Sequence, residues 1–477
     1  MSRRRVLIIG AGVAGRMAAE QIAAHPELDL EVIGFVDDDP TLAGRRRFGL
    51  DVLGDRGAIE SIVTTRGVEM LLLAIPSAEG EVVRKLLRTC RRVDAELRIV
   101  PGIREIVLGE VRWHQIRPIQ PDDLLGREAV ELRPSEAAAR LGGKRVLVTG
   151  AGGSIGSELC RWACRSGAAE VALFGHAENE LFELEEELAA DHGDVPVRVD
   201  VADVRDASRT GRVLAARSPD IVFHAAAHKH VPLMEKQPDE AVKTNILGTR
   251  NVVDAAIAAS VGRLVMLSTD KAVRPISVMG ASKRIAEIML QHRAVEMGDE
   301  PITRLAMVRF GNVLGSRGSV VPRFARQIER GGPVTVSHVD ATRYFMTIKE
   351  AALLVVLAGA RAQGGEVFVL DMGEQISILE LAREMVAMSG RKVDIEISGL
   401  RAGEKLREEL WTDEFAATEM PKVHLAEPRS PEAASFKEVL ERLEQFADDG
   451  EVAGIRREMQ RLVPELPDRL GETRSVG

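Results

Sequence analysis

The sequence predicts an α/β protein built from two doubly wound parallel-sheet units in tandem. Short apolar runs of the kind buried in parallel strands alternate with helical stretches along most of the chain. A glycine-rich turn at Gly10, Gly12 and Gly15 follows the first of these runs, and the same strand-turn-helix opening restarts at Val146 with Gly150, Gly153 and Gly156. At 477 residues the chain also exceeds what one hydrophobic core usually supports.

The first unit opens with a strand at 6–9 and passes through "GAGVAG" into a helix. A second strand at 31–36 ends in Asp37. Strand, tight turn, helix and an acidic residue about twenty positions on make up the context of a G-x-G-x-x-G dinucleotide fingerprint, with Asp37 placed for a ribose hydroxyl. The competing reading is that these glycines only let helix and strand pack closely. Further strands are expected at 70–74 and 97–100, so residues 1–116 read as a Rossmann-like nucleotide-binding domain. A polar, proline-containing linker over 117–142 follows.

The second unit, residues 143–430, restarts with a strand at 146–149 and a helix from about Ser154. Free N–H groups at that helix start, around Ser154, Ile155 and Gly156, suit a pyrophosphate. The G-x-x-G-x-x-G spacing is the short-chain dehydrogenase/reductase variant and points to a nicotinamide dinucleotide. The next strand ends in Gly175 and His176 where an acidic residue would hold the adenosine ribose, so NAD and NADP are not distinguished. Asp203 and Val204 follow the third strand, placed to contact adenine. Ala225, Ala226 and Ala227 end a strand beneath the cofactor, and Asn245 lies on the helix beyond. Residues 431–477 show helical periodicity without chemistry and read as a packing or oligomer appendage.

Composition narrows the partners. Hydrophobic residues at 45% and charged residues at 29% are the balance of a globular protein. A net charge of -9 offers no broad attraction to nucleic acid or anionic lipid, so any phosphate must be held by local groups. Cys90, Cys160 and Cys164 form neither a disulfide framework nor metal-ligand spacing, and the pair His228 and His230 lacks a third ligand; no metal is expected. No run reaches the roughly 18 apolar residues needed to span a bilayer, so a cytoplasmic protein is expected. The triplet Arg3, Arg4 and Arg5 is either a solvated terminus or the flank of a removed anchor at the inner face of a membrane.

The motifs "TGAGGSIGSE", "FHAAAHKHVPLME", "EAVKTNILGT", "STDKAVRP", "MGASKR", "VRFGNVLGSRGSVVPRF", "TRYFMTI" and "LRAGEKLREEL" resemble, in order, those of the polysaccharide-biosynthesis type of nucleotide-sugar 4,6-dehydratases. The resemblance implies an extended short-chain dehydrogenase/reductase with a small C-terminal substrate lobe, acting on a UDP-N-acetylhexosamine, and a homo-oligomer, dimer or higher. Long members of that family usually carry transmembrane helices ahead of a first dinucleotide-type domain; here those helices are missing. Such enzymes oxidise C4, eliminate water across C5 and C6, and return the hydride to C6.

By this resemblance Asp270 is the acid, Lys271 the base, Thr269 their neighbour, and Lys283 the residue on the nicotinamide ribose. A lysine acting as base must be neutral, so a depressed pKa is expected, with Lys283 supplying the depressing charge. Met279 stands where the family of reductases has a catalytic tyrosine, and a thioether cannot take a proton. The C4 hydroxyl proton is then left to Asp270 or to a water held by Thr269 and Lys283; long family members also show Met here. Lys229, His230, Asn312, Arg317, Arg343, Arg401, Glu404 and Lys405 match motifs that hold the sugar nucleotide, where guanidinium forks suit a diphosphate. The alternatives are a C4 epimerase or reductase, which leans harder on the missing tyrosine, and a non-catalytic sugar-nucleotide sensor, for which Asp270, Lys271 or Lys283 should be lost.

Overall fold

The computed structural model describes residues 3–75, 82–83, 85–86, 89, 93, 95–100, 117–118, 134–411, 415–420, 422–426 and 433–468. Cys90, most of the linker and the C-terminal "GETRSVG" lie outside them. The chain divides into two compact units. Met1–Val130, Phe324–Val334 and Glu380–Ile395 form the first; Glu131–Arg323, Thr335–Leu379 and Glu396–Gly477 form the second.

The first unit holds a five-stranded sheet. β1 (Arg4–Ile9), β2 (Leu30–Val36), β3 (Met70–Leu73), β4 (Glu96–Ile99) and β5 (Arg117–Pro118) lie in the order β2-β1-β3-β4-β5, parallel except for β5. Val6 to Ile9 are fully buried, as a central parallel strand requires. On one face Val6 and Ile8 pack with Ala14, Ala18 and Ile22 of α1 (Val13–Ala24) and with Phe35. β5 comes from the stretch the sequence assigns to the linker, and a helix at Pro134–Leu141 takes up its end. A two-residue strand is too short to register as a pattern.

The second unit is built on a nine-stranded sheet. β6 (Arg145–Thr149), β7 (Glu170–Gly175), β8 (Val197–Val201), β9 (Ile221–His224), β10 (Arg263–Leu267), β11 (Arg304–Arg309), β12 (Glu366–Leu370), β13 (Phe415–Ala417) and β14 (Val423–Ala426) run in the order β8-β7-β6-β9-β10-β11-β12-β14-β13. The first seven in that order are parallel, and β14 and β13 close the edge antiparallel. The winding reverses between β6 and β9, so their C-terminal ends flank the switch point at which doubly wound sheets bind ligands.

Two helices matter most for that edge. α2 (Ser154–Arg165) follows the glycine turn after β6, and α3 (Val278–Met297) is buried along most of its length. Cys160 and Cys164 lie inside on α2, where burial pushes both thiols up, Cys164 to about 11. The appendage is two helices, α4 (Ala433–Asp449) and α5 (Val452–Leu462). Glu444 of α4 holds Arg250 through two hydrogen bonds of 2.8 and 2.7 Å, and Arg456 of α5 donates to Glu235 at 2.7 Å.

Candidate active site

The two glycine turns share one geometry. A Cβ on Gly15 would stand 2.0 Å from the Gly10 carbonyl oxygen, and one on Gly156 would stand 2.2 Å from that of Gly150. Only glycine permits this closeness of helix to turn. α1 and α2 start at Gly12 and Gly153 without a side-chain cap, leaving their first N–H groups to a ligand or water. In the first unit the Asp37 carboxylate accepts from the Ala11 N–H at 2.7 Å, so it sits on the glycine turn itself. In the second unit Gly150 has φ +66°, and a Cβ there would meet the Ala226 backbone at 2.8 Å, so the turn lies against the Ala225, Ala226, Ala227 stretch.

Beneath that stretch runs a buried polar chain. Thr149 and His224 are register partners on β6 and β9, and the Thr149 hydroxyl is 2.7 Å from His224 Nδ1. His224 Nε2 is 2.9 Å from the Thr249 hydroxyl, which itself donates to the Asn245 carbonyl at 2.7 Å. Thr249 has therefore spent its proton, which makes Nε2 the protonated nitrogen and Nδ1 the acceptor. Burial, aided by Lys283, brings His224 down to about 3 and keeps it neutral. Asn245, in a single π-turn, bonds the His228 backbone at both amide atoms and donates to Ser282 at 2.9 Å.

β10 ends at Leu267, but its backbone pairing continues: the Ser268 N–H donates to Val308 and the Asp270 N–H to Phe310. Thr269 then caps the single turn Asp270–Ala272, its hydroxyl accepting from the Lys271 N–H at 3.3 Å. This fixes the "TDK" side chains at the C-terminal edge of the sheet. Asp270 is fully buried; its Oδ1 accepts from Thr269 Oγ1 and from Lys271 Nζ, both at 2.9 Å. Lys271 Nζ also donates to Asn312 Oδ1 at 3.2 Å and lies 3.7 Å from Glu408. Asp270 Oδ2 is buried with no hydrogen-bond partner among the described residues.

α3 presses on this turn. A Cβ at Gly280 would stand 2.3 Å from the Lys271 carbonyl oxygen. Ser277 caps the helix through the Gly280 N–H, and Glu235 accepts from the Val278 N–H at 2.7 Å. Met279 and Lys283, one turn apart on α3, are both buried. Burial pulls the Lys283 ammonium down to about 8 against the opposing Glu287 charge. Glu287, fully buried one further turn along, takes both forks of Arg309 on β11 at 2.7 and 2.6 Å and accepts from Ser268 at 2.7 Å. Burial alone would raise Glu287, but Arg309 and its companions hold it at about 2.

A family model described as polysaccharide biosynthesis protein matches residues 146–428. The chain belongs to that family. A second model, described as CoA-binding domain, matches residues 1–101. Among members of the polysaccharide biosynthesis protein family, the probable polysaccharide biosynthesis protein EpsC of Bacillus subtilis is 44% identical over 427 residues, covering 88% of this chain and 71% of its own. The capsular polysaccharide biosynthesis protein CapD of Staphylococcus aureus is 43% identical over 422 residues, 86% of this chain and 69% of its own. UDP-glucose 4-epimerase of Rickettsia canadensis is 35% identical over 278 residues, 57% of this chain and 79% of its own. The X-ray structure of Pen from Bacillus thuringiensis superposes with a TM-score of 0.57 at 36% identity, covering 62% of this chain and 92% of that one.

Within this member of the polysaccharide biosynthesis protein family the remaining candidate residues divide. Asn312 and Arg343 reach the Asp270–Lys271 pair from two short ladders, Asn312–Val313 beside Phe345–Met346 and Thr342–Arg343 beside Ile376–Ser377. Arg343 is buried, donates to the carbonyls of Thr342 and Leu406, and lies 3.9 Å from Glu408. Glu404 accepts from Arg343 and Ser337, while Lys405 donates to the Val273 carbonyl and so braces the turn after Lys271. Arg317 sits elsewhere: its N–H donates to the Ser154 hydroxyl and its guanidinium to Glu180, at the glycine turn. The neighbouring Gly318 packs against the His230 ring on the loop that carries Lys229, and Arg401 is exposed. Asp203 is held below the usual carboxylate range by an Arg205 fork despite partial burial, with Val204 buried beside it and His176 nearby.

One expectation is overturned. Burial does pull Lys271 down, but the Asp270 and Glu408 carboxylates outweigh it and hold the ammonium above its ordinary value. The opposing cation is Arg343, not Lys283. Glu408 itself escapes the sequence reading. It stands 137 residues from Lys271 in an acidic stretch, "GEKLREEL", that reads equally well as a solvated face.

Proposed function

We propose that this protein is a UDP-N-acetylglucosamine-type 4,6-dehydratase that uses a recycled NAD or NADP. The observation that carries the reading is the Asp270–Lys271 pair, joined at 2.9 Å, with Asp270 fully buried and Lys271 partly so, on the sheet edge that also bears the glycine turn of Gly150, Gly153 and Gly156. A dinucleotide fits the residues present: the Gly156 cradle would be filled by any Cβ, α2 starts without a cap, and Lys283 makes no ion pair among the described residues. When bound, that group would accept a hydride from C4 and return it at C6. Lys283 would hold its ribose, and the neutral His224 chain would support the floor beneath it.

Elimination needs a base for the acidified C5 proton and an acid for the departing hydroxyl. Lys271 and Asp270 supply both once the lysine has shed a proton. With Met279 unable to act, the C4 hydroxyl proton goes to Asp270, whose Oδ2 has no hydrogen-bond partner among the described residues; the same proton then leaves with the C6 oxygen. Asn312, Arg343 and Glu404 would bind the sugar nucleotide from the C-terminal lobe. A C4 epimerase needs no such acid–base pair and would rely on the tyrosine replaced by Met279.

The test is incubation with UDP-N-acetylglucosamine in deuterated water. The expected product is a 4-keto-6-deoxy sugar labelled at C5, lost in Lys271→Met with a fall of about 10²–10⁴-fold. No such product from any UDP-N-acetylhexosamine, despite bound dinucleotide, refutes the dehydratase; an unlabelled C4 epimer supports the epimerase instead.

A further inference from the structure

A charged lysine cannot act as base, and Lys271 is held charged. Its proton needs a destination other than Asp270, already committed to the substrate's oxygens, and water, which the 21% exposed Lys271 side chain does meet, takes it only at high pH. Glu408 is placed to receive it. Its side chain is 3% exposed, with Oε1 3.7 Å from Lys271 Nζ and 3.9 Å from Arg343 Nε. Its Oε2 is buried with no hydrogen-bond partner among the described residues, and buried polar atoms left unpaired in a site call for a role.

We propose that Glu408 stores the proton that Lys271 must shed to become the base. The inference rests on the dehydratase reading above. The Nζ–H bond breaks and an O–H bond forms on Glu408, leaving a neutral amine and a neutral carboxyl. Lys271 then takes the C5 proton and returns one to C5 after hydride return, and Glu408 hands its stored proton back. Asp270 gains the C4 hydroxyl proton and spends it on the leaving water, so the cycle closes without an outside donor. The 3.7 Å gap exceeds a direct hydrogen bond, and one water or a turn of the lysine's flexible stem bridges it. The groups facing Glu408 are Lys271, Asp270, Arg343 and Lys405; burial and the Asp270 charge push its carboxyl up against the three cations. Glu408 acts through Lys271, so it is a positioning residue for the proton and not itself the base.

Glu408→Gln keeps the shape and cannot store a proton. In steady-state dehydration it is expected to lower kcat about 10-fold or more near neutral pH with KM within about two-fold, and to recover as pH rises and water takes the proton instead. Glu408→Asp restores part of the neutral-pH rate. An unchanged pH profile overturns the proposal. A second readout needs no turnover: acylation of Lys271 by an amine reagent, followed by mass spectrometry across pH in substrate-free protein. Loss of the anion should move the Lys271 midpoint to lower pH in Glu408→Gln, and an unmoved midpoint overturns the coupling even if wild-type protein dehydrates the sugar. If wild-type protein yields no product but the midpoint moves, the dehydratase reading fails and the coupling stands.

Discussion

Replacing Glu287 by glutamine removes the charge that locks β11, α3 and the start of the catalytic turn together. Its carboxyl is fully buried and held at about 2, against an ordinary 4.5. At about 1.36 kcal/mol per pH unit, a difference of about 2.5 units is worth about 3–4 kcal/mol. That agrees with the roughly 3–5 kcal/mol lost when one partner of a buried ion pair is removed. Because the folded pKa is depressed, this stability is present in full above about pH 4.5 and lost as pH falls toward 2. Urea titrations near pH 7, 5, 4 and 3, followed on the second unit through the buried Trp162, should show Glu287→Gln about 3–4 kcal/mol less stable at pH 7. The gap should close toward pH 2. A gap under 1 kcal/mol at pH 7, or one that widens in acid, would refute the assignment of Glu287 as a charged anchor.

Two further outcomes separate binding from folding. Gly156→Ala should abolish dinucleotide retention, measured as cofactor released on denaturation, while Gly15→Ala, with the same clash in the first unit, should leave that cofactor in place; the reverse pattern would put the nicotinamide in the first unit. Lys283→Met should raise the stability of dinucleotide-free protein at pH 7 by about 3 kcal/mol, because an ammonium depressed from 10.5 to about 8 costs stability below its folded pKa, while dinucleotide affinity falls; a melting experiment with and without cofactor checks both signs.

How much of this was legible in the sequence depends on how local the cause is. The strands 31–36 and 146–149 are found at Leu30–Val36 and Arg145–Thr149, because unbroken apolar runs declare buried parallel strands. The Gly150–Gly156 turn and the "TDK" corner follow from residues within a few positions of one another. The sign of the Lys271 shift does not. Desolvation could be inferred from a strand end, but of the two carboxylates that outweigh it, Asp270 next door and Glu408, the second arrives from the other end of the domain. Glu287 and Arg309 are likewise a helix residue and a strand residue that only the fold brings together, and each alone reads as an ordinary surface charge. Lys405 matches a substrate motif, and its bond to the Val273 carbonyl could not have been read from that motif, since a motif records which residues recur and not what each one touches.

The ion pairs of the terminal helices carry a practical consequence. Glu235 spends one oxygen on the first N–H of α3 and the other on Arg456, so the start of the helix bearing Met279 and Lys283 is tied to the far end of the polypeptide. A shortened chain ending before Ala433 would keep every residue of the catalytic corner and still strip the counter-charge from Glu235 and the clasp from Arg250. Anyone trimming this protein for crystallisation or expression should expect the cut to be felt as loosened cofactor geometry, not as a missing side chain.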